Sequence, residues 1–131
     1  MTTTPTRTSH LSGRALAYAV AKATSQPLEI LPSEYGTGPR LFAKQGLEIV
    51  RYRPDLDPAQ AWPLLVKYGR RCRLHLDFQC NGASYLEAGI RTGHTANDML
   101  TAAMRALVSH LLGPQVDIPT ELLEATQEGA A

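Results

Sequence analysis

The chain's two cysteines and four histidines are the residues best suited to metal binding or to nucleophilic catalysis. Neither C-x-x-C nor H-x-x-x-H spacing occurs, so the pattern predicts no metal site and no cofactor. A cysteine nucleophile would need an electropositive, partly exposed setting with a histidine nearby. Apolar and polar residues alternate from Cys72 to Cys80, which instead predicts a strand that buries both thiols on one apolar face. We therefore expect two free, structural thiols.

Five arginines lie close to a predicted short helix, with Arg51 and Arg53 before it and Arg70, Arg71 and Arg73 after it. If both groups sit at one end of a sheet, their guanidiniums could converge on an anionic partner. Arginine suits such a role because it binds phosphate and carboxylate groups in a bidentate manner. The alternative is a solvated strand edge, where arginine discourages aggregation between sheets.

Trp62, the single tryptophan, is the sixth candidate binding residue. It lies one turn into the predicted short helix. A tryptophan at this position either fills the core or contributes to a surface binding patch, where tryptophan is enriched. The sequence favours core packing, and the surface patch is the alternative.

Three helices are expected to position these residues, because their end signals are legible. Ser12 can cap the first helix, and Asp57 followed by proline starts a short helix that should end near Tyr68. The last helix should begin with Thr95 as its cap and end at Gly113, since the following proline cannot continue it.

The strands are predicted from short β-type runs and from the alternating segment. Residues 28–31 and 47–52 are the short runs, and residues 72–80 should form a hairpin with residues 83–88 through a two-residue Asn81-Gly82 turn. That register places Phe78 opposite Tyr85. The expected fold is α+β, with a small antiparallel sheet of three or four strands against which two longer helices and one short helix pack.

Length and composition predict one domain. With 131 residues, of which 44% are hydrophobic, the chain can build one ordinary core. We expect the domain to span residues 10–124, with flexible tails at residues 1–9 and 125–131. A net charge of +1 provides no global attraction for nucleic acid or an anionic membrane. No signal peptide or membrane-spanning run is recognisable, so a cytoplasmic protein is expected.

Three segments of the chain together resemble the NinX-like family of phage and prophage proteins of unknown function. They read LSGRALAYAVAKA (residues 11–23), YRPDLDPAQAWPLL (residues 52–65) and TAAMRALVSHLLG (residues 101–113), followed by VDIP (residues 116–119) and EL (residues 121–122). The resemblance implies a phage accessory protein that works in the cytoplasm of the bacterial host. It supplies no catalytic residues.

Two functions follow as hypotheses. The first is a non-enzymatic protein that binds a host or phage protein and modulates host physiology or defence, because no P-loop, G-x-S-x-G or G-x-G-x-x-G motif is present. The alternative is a small binder of nucleotide or nucleic acid that uses the arginine-rich end of the sheet. An enzyme is the third and least favoured class, no membrane partner is expected, and the oligomeric state stays open.

Overall fold

A computed structural model describes residues 2–32 and 38–123 of the chain. The α-helices are α1 (Gly13–Ala23), α2 (Pro58–Cys72) and α3 (Met99–Leu112). The strands are β1 (Thr3–Arg7), β2 (Glu29–Leu31), β3 (Arg40–Gln45), β4 (Glu48–Arg51), β5 (His75–Asp77), β6 (Gly82–Glu87), β7 (Ile90–Thr95) and β8 (Gln115–Pro119). The protein is therefore α+β, which confirms the predicted class.

The described strands form three small antiparallel sheets, not the one sheet of three or four strands that the sequence predicted. Their orders are β1-β8, β2-β3-β4 and β5-β6-β7. Each three-stranded sheet pairs only strands that are neighbours in the sequence, and α2 separates the two sheets along the chain. Pairing between strands that are neighbours in the sequence closes only short loops and therefore costs little entropy.

The first residues of the chain form a strand, whereas their composition predicted a loose tail at residues 1–9. β1 pairs with β8 from Thr3 opposite Pro119 to Arg7 opposite Gln115. Thr8 is buried, and its hydroxyl donates to the Gly113 carbonyl oxygen at 2.7 Å. Threonine favours strands because it is β-branched, but the pairing needs a partner about a hundred residues away in sequence. The predicted tail at residues 125–131 lies outside the described residues.

Helix α3 runs through the centre of the core. Its buried residues occupy nearly every face, and the helix contacts α1, α2, β6, β7 and β8. Asp98 caps it, since one carboxylate oxygen accepts from the Thr101 amide at 2.9 Å and the other from the Thr101 hydroxyl at 2.9 Å. The predicted start at Thr95 is wrong because Thr95 belongs to β7. The predicted end at Gly113, where φ is +93°, is confirmed.

The segment between the two cysteines is largely not a strand, so the predicted alternating strand is wrong. Cys72 is the last residue of α2 and is buried, whereas Cys80 lies exposed in the loop after β5. The helix continues past its predicted end near Tyr68, and Arg73 terminates it in the left-handed conformation at φ 52°. Burial alternates only from Arg73 to Asp77, with Leu74 and Leu76 half-buried, and residues 78–80 beyond β5 are all exposed.

The hairpin that follows has a longer loop than predicted. β5 pairs with β6 from His75 opposite Ser84 to Asp77 opposite Gly82, so residues 78–81 form the connection. Gly82 is a strand residue, and the positive φ of 49° belongs to Asn81. The predicted pairing of Phe78 with Tyr85 is also wrong, since Phe78 is 74% exposed and Tyr85 pairs with Thr92.

The remaining elements agree with the sequence patterns. The Ser12-capped helix is α1, although the Ser12 side chain makes no capping hydrogen bond. The predicted strands at residues 28–31 and 47–52 are β2 and β4, and β3 joins them into one sheet.

Candidate functional site

Helix α2 has a buried face and an exposed face that is partly apolar. The buried residues follow helical spacing: Ala61, Leu65, Tyr68 and Cys72. Trp62 and Val66, four residues apart, lie outside that phase and remain 65% and 55% exposed. The structure therefore contradicts the interpretation of Trp62 as a core residue and places it on the surface.

The start of α2 is held by its cap and by one glutamine. The Asp57 carboxylate accepts from the Ala59 amide at 3.0 Å, and proline occupies the first helical position, as predicted. The Gln60 side chain donates to the Arg51 carbonyl oxygen at 2.6 Å and accepts from the Arg53 amide at 2.7 Å. These bonds attach the helix to the end of β4 and so hold the exposed face in one orientation.

A groove of about 480 Å³ lies between α2 and β5. We call it the α2–β5 groove, and its lining residues are Trp62, Leu65, Val66, Gly69, Arg70, Leu74 and Leu76. Gly69 leaves room in it, since a methyl group there would lie 3.6 Å from the Leu74 Cβ. The Leu74 amide donates to the Gly69 carbonyl oxygen at 2.9 Å, which closes this end of the groove. The volume is in the range that accommodates a few side chains of a ligand.

One cation, Arg70, lines the groove, and three more lie close to it in the sequence. Lys67, Arg70, Arg71 and Arg73 are exposed, and no acidic residue occurs between Asp57 and Asp77 in the sequence. Within residues 2–32 and 38–123, none of the four cations takes part in an ion pair. An apolar groove with uncompensated positive charge at its edge is the main unusual surface on this helix.

Residues 7–110 match the family model described as Bacteriophage P22, NinX. The chain belongs to the NinX family. The matched span includes α1 and α2 and ends within α3, so the whole α2–β5 groove lies inside the family region of this NinX protein. No protein with a curated description matches the chain.

The structure divides the predicted arginine set of this NinX protein into two groups. Arg51 and Arg53 lie beside Gln60 near the start of α2. Arg70 and Arg71 lie ten and eleven residues further along the helix, about 15 Å away at 1.5 Å per residue. Arg73 follows at the same end. The five guanidiniums therefore do not share one end of a sheet, whereas Trp62 and Arg70 do line the same groove.

The first group is involved in the protein's own structure. Arg53 makes a bidentate ion pair with Asp55, with N···O distances of 3.0 and 2.9 Å, and Asp55 is only 3% exposed. The pKa of Arg14 is lowered, first by burial and then by repulsion from Arg51, Arg53 and Arg40. Arg14 and Arg40 carried no sequence signal, because the tertiary fold alone brings them near the others.

A polar cleft of about 560 Å³ lies where the starts of α1 and α3 meet. Arg105 lines this cleft. The sequence did not predict a role for it, because it appears there only as a polar residue of α3. Its guanidinium donates to the Leu11 carbonyl oxygen at 2.6 Å and to the Thr95 carbonyl oxygen at 2.8 Å. Burial lowers the pKa of Arg105, and Asp98 partly opposes this shift. These contacts make Arg105 a structural clamp between two backbone segments.

A smaller cleft of about 280 Å³ contains His75, Asp77, Cys80 and His94. A hydrogen bond to Asp77 is the main cause that raises the pKa of the Cys80 thiol, so Cys80 is protonated at neutral pH. Burial, and then Arg105, lowers the pKa of His94. The described residues contain no group of three His, Cys, Asp or Glu side chains arranged to hold a metal ion. In the same part of the chain, no helix has the length and apolar character of a membrane span.

Proposed function

We propose that this NinX-family protein is a phage accessory protein that binds a host or phage protein through the α2–β5 groove and catalyses no reaction. The observation that supports this function is the exposure of Trp62 beside Val66 at the edge of an apolar groove. Family membership supports a phage context, in which such binding would modulate host physiology or defence.

The position of Trp62 distinguishes it from the other exposed apolar residues. Apart from Val66 in the same groove, these residues lie in or beside turns, in β4, before α2 and at the start of β7: Leu47, Ile49, Leu56, Phe78 and Ile90. Isolated apolar residues at such places are ordinary for a protein surface. Trp62 instead lies on a helix whose ends are fixed and beside a groove that continues its apolar surface. Tryptophan in that setting is typical of binding hot spots.

Burial of this surface would favour association. A partner that covered Trp62 and Val66 would remove apolar area from water, at about 25 cal/mol for each Å². The helix is already formed and capped in the free protein, so little ordering of α2 would accompany binding. The free protein therefore presents a preorganised surface.

The proposal can be tested by affinity capture from bacterial lysate, with and without phage infection. The tagged protein is compared with Trp62→Ala and with Leu47→Ala, a control that removes a fully exposed apolar side chain outside the groove. A captured protein is then identified and its Kd measured with purified components. We expect Leu47→Ala to bind like the wild type and Trp62→Ala to lose about thirtyfold or more in affinity, as for a hot spot.

The proposal fails if no stoichiometric protein partner is recovered under either condition, or if Trp62→Ala and Leu47→Ala bind equally well. Circular dichroism and melting of both variants verify that each is folded. Both variants remove exposed apolar side chains, and only Trp62 lines the groove, so weaker binding by Trp62→Ala alone would assign the contact to the groove.

The rival function, binding of nucleotide or nucleic acid, is favoured by one observation. Arg70, Arg71 and Arg73 are exposed together at the end of α2. If they bind single strands through n phosphates, the affinity should fall with salt on a log-log slope of about 0.7n. Titration of a labelled oligonucleotide at several salt concentrations tests this function, and an absent or salt-insensitive interaction rules it out.

A further inference from the structure

We infer that the partner presents to the α2–β5 groove a short acidic segment with one or two apolar anchor side chains. This inference rests on the proposed function and names the chemistry of its partner. It follows from the combination of an apolar groove, one exposed arginine in its lining and a limited volume.

Charge complementarity selects the acidic class. From residue 58 to residue 76 the chain contains four cations and no acidic residue. Arg70 is both exposed and part of the groove lining, so a carboxylate bound beside an apolar anchor would meet its guanidinium. Arginine and carboxylate form short, charge-assisted and frequently bidentate hydrogen bonds. A basic segment would meet repulsion at the same place.

The same charges disfavour a second copy of this chain whose α2 packs parallel to the first. Two parallel α2 helices across a two-fold axis would bring Lys67, Arg70 and Arg71 of one copy towards the same residues of the other. Such like-charge contacts oppose association. In an antiparallel pair, Arg70 would face the other copy near Trp62, where the groove lining contains no carboxylate to bind it. The cations near the end of α2 also offset the helix dipole, but that effect does not require Arg70 to line the groove.

The size of the groove selects a segment over a broad surface. About 480 Å³ accommodates a few side chains. Peptide-binding grooves on other proteins work in this way, with a small number of apolar anchors setting affinity and flanking charges setting specificity. Trp62 at one side and Leu74 and Leu76 at the other provide the apolar walls.

The experiment is a selection of random linear peptides on the immobilised full-length protein, followed by affinity measurement of individual synthetic peptides. Trp62 is the single tryptophan, so its fluorescence reports occupancy of the groove for peptides that lack tryptophan. We expect the enriched peptides to share acidic residues beside an aromatic or aliphatic anchor, and their binding to change the Trp62 emission.

Charge-reversal variants then test whether Arg70 binds the acidic residues of the peptide. Arg70→Glu should weaken an acidic peptide by about tenfold or more, since a charge-assisted hydrogen bond is lost and repulsion replaces it. The control is Arg71→Glu, which makes the same charge change in the same turn but outside the groove lining, and it should have a smaller effect. A peptide in which lysine replaces the acidic residues should bind more tightly to the Arg70→Glu variant than to the wild-type protein.

Each remaining outcome overturns the inference in a distinguishable way. If Trp62→Ala abolishes peptide binding but Arg70→Glu does not, the groove docks a partner and the acidic class is wrong. If neither variant matters, or no peptide is enriched, the inference fails, and if the lysate experiment also fails, the proposed function fails with it. A concentration-dependent dimer in sedimentation that Trp62→Ala dissociates would assign the groove to a second copy.

Discussion

Helices α2 and α3 have nearly the same length, 15 and 14 residues, but use their apolar residues differently. α3 packs against elements on several sides and buries almost all of its middle. α2 packs mainly against α3 and β6, and keeps Trp62 and Val66 in water. The central helix uses its apolar surface for folding, whereas the peripheral helix leaves part of it exposed to solvent.

The largest expected contrast concerns the two thiols, which lie on either side of β5. The pKa of both thiols is raised, that of Cys72 by burial and that of Cys80 first by a hydrogen bond to Asp77. The contrast lies in access, because Cys72 at the end of α2 is buried and Cys80 is exposed. A thiol reagent at pH 8 should therefore label Cys80 about a thousandfold faster than Cys72, whose reaction requires local opening. Mass spectrometry over time measures both rates.

Cys80→Ser provides the control, because it should remove the fast phase without affecting stability. Fast labelling of two thiols in the native protein would contradict the placement of Cys72 inside the core. Absence of any fast phase would contradict the exposure of Cys80.

Truncation of one residue on each helix tests the contrast in stability. Leu107→Ala in α3 should lower the free energy of unfolding by about 2–5 kcal/mol, because it leaves a cavity in a fully buried site. Val66→Ala in α2 should change it by less than about 0.5 kcal/mol, since its side chain is mostly in water. Urea denaturation followed by circular dichroism measures both, and equal losses would mean that α2 is as buried as α3.

A smaller effect is expected from Gly69→Ala, which separates stability from binding on α2. Alanine should stabilise the helix by about 0.5–1 kcal/mol, because glycine loses more backbone entropy on folding. Its methyl group would contact Leu74 at an ordinary distance and narrow the groove. The variant should therefore melt higher yet bind groove peptides more weakly. An increase in both melting temperature and affinity would contradict the role of Gly69 in the groove.

The smallest effect is a pH dependence next to α3. Burial lowers the folded-state pKa of His94 from its ordinary value of 6.5, so the unfolded chain binds the proton more readily. Because the unfolded chain binds more protons in this range, the free energy of unfolding should rise with pH between the lowered pKa of His94 and about 6.5, and then level off. Calorimetric melting between pH 5 and 7.5 should show this rise in the wild type and a weaker one in His94→Gln. Identical profiles would assign the dependence to other groups.

Local signals predicted the helices better than the strands. The helix starts at Ser12 and Asp57 and the end at Gly113 are confirmed as boundaries, because such signals lie within one turn of the chain, although Asp57 makes a side-chain capping hydrogen bond and Ser12 does not. The alternation in residues 72–80 gave a wrong strand prediction, because α2 continues to Cys72 and only three residues then pair as β5. The Trp62 side chain could have been placed outside from its phase relative to Ala61 and Leu65, a signal that the sequence does contain.

The amino-acid sequence by itself determined the α+β class, the three helices and membership of the NinX family, since caps, periodicity and family segments are properties of neighbouring residues. Only the tertiary structure decided that Trp62 and Arg70 share a groove. It also placed Arg51 and Arg53 beside the start of α2, about 15 Å of helix away from Arg70. It also decided that β1 pairs with β8. Burial and proximity between distant segments depend on which elements pack together, and that packing is set by the free energy of the whole core.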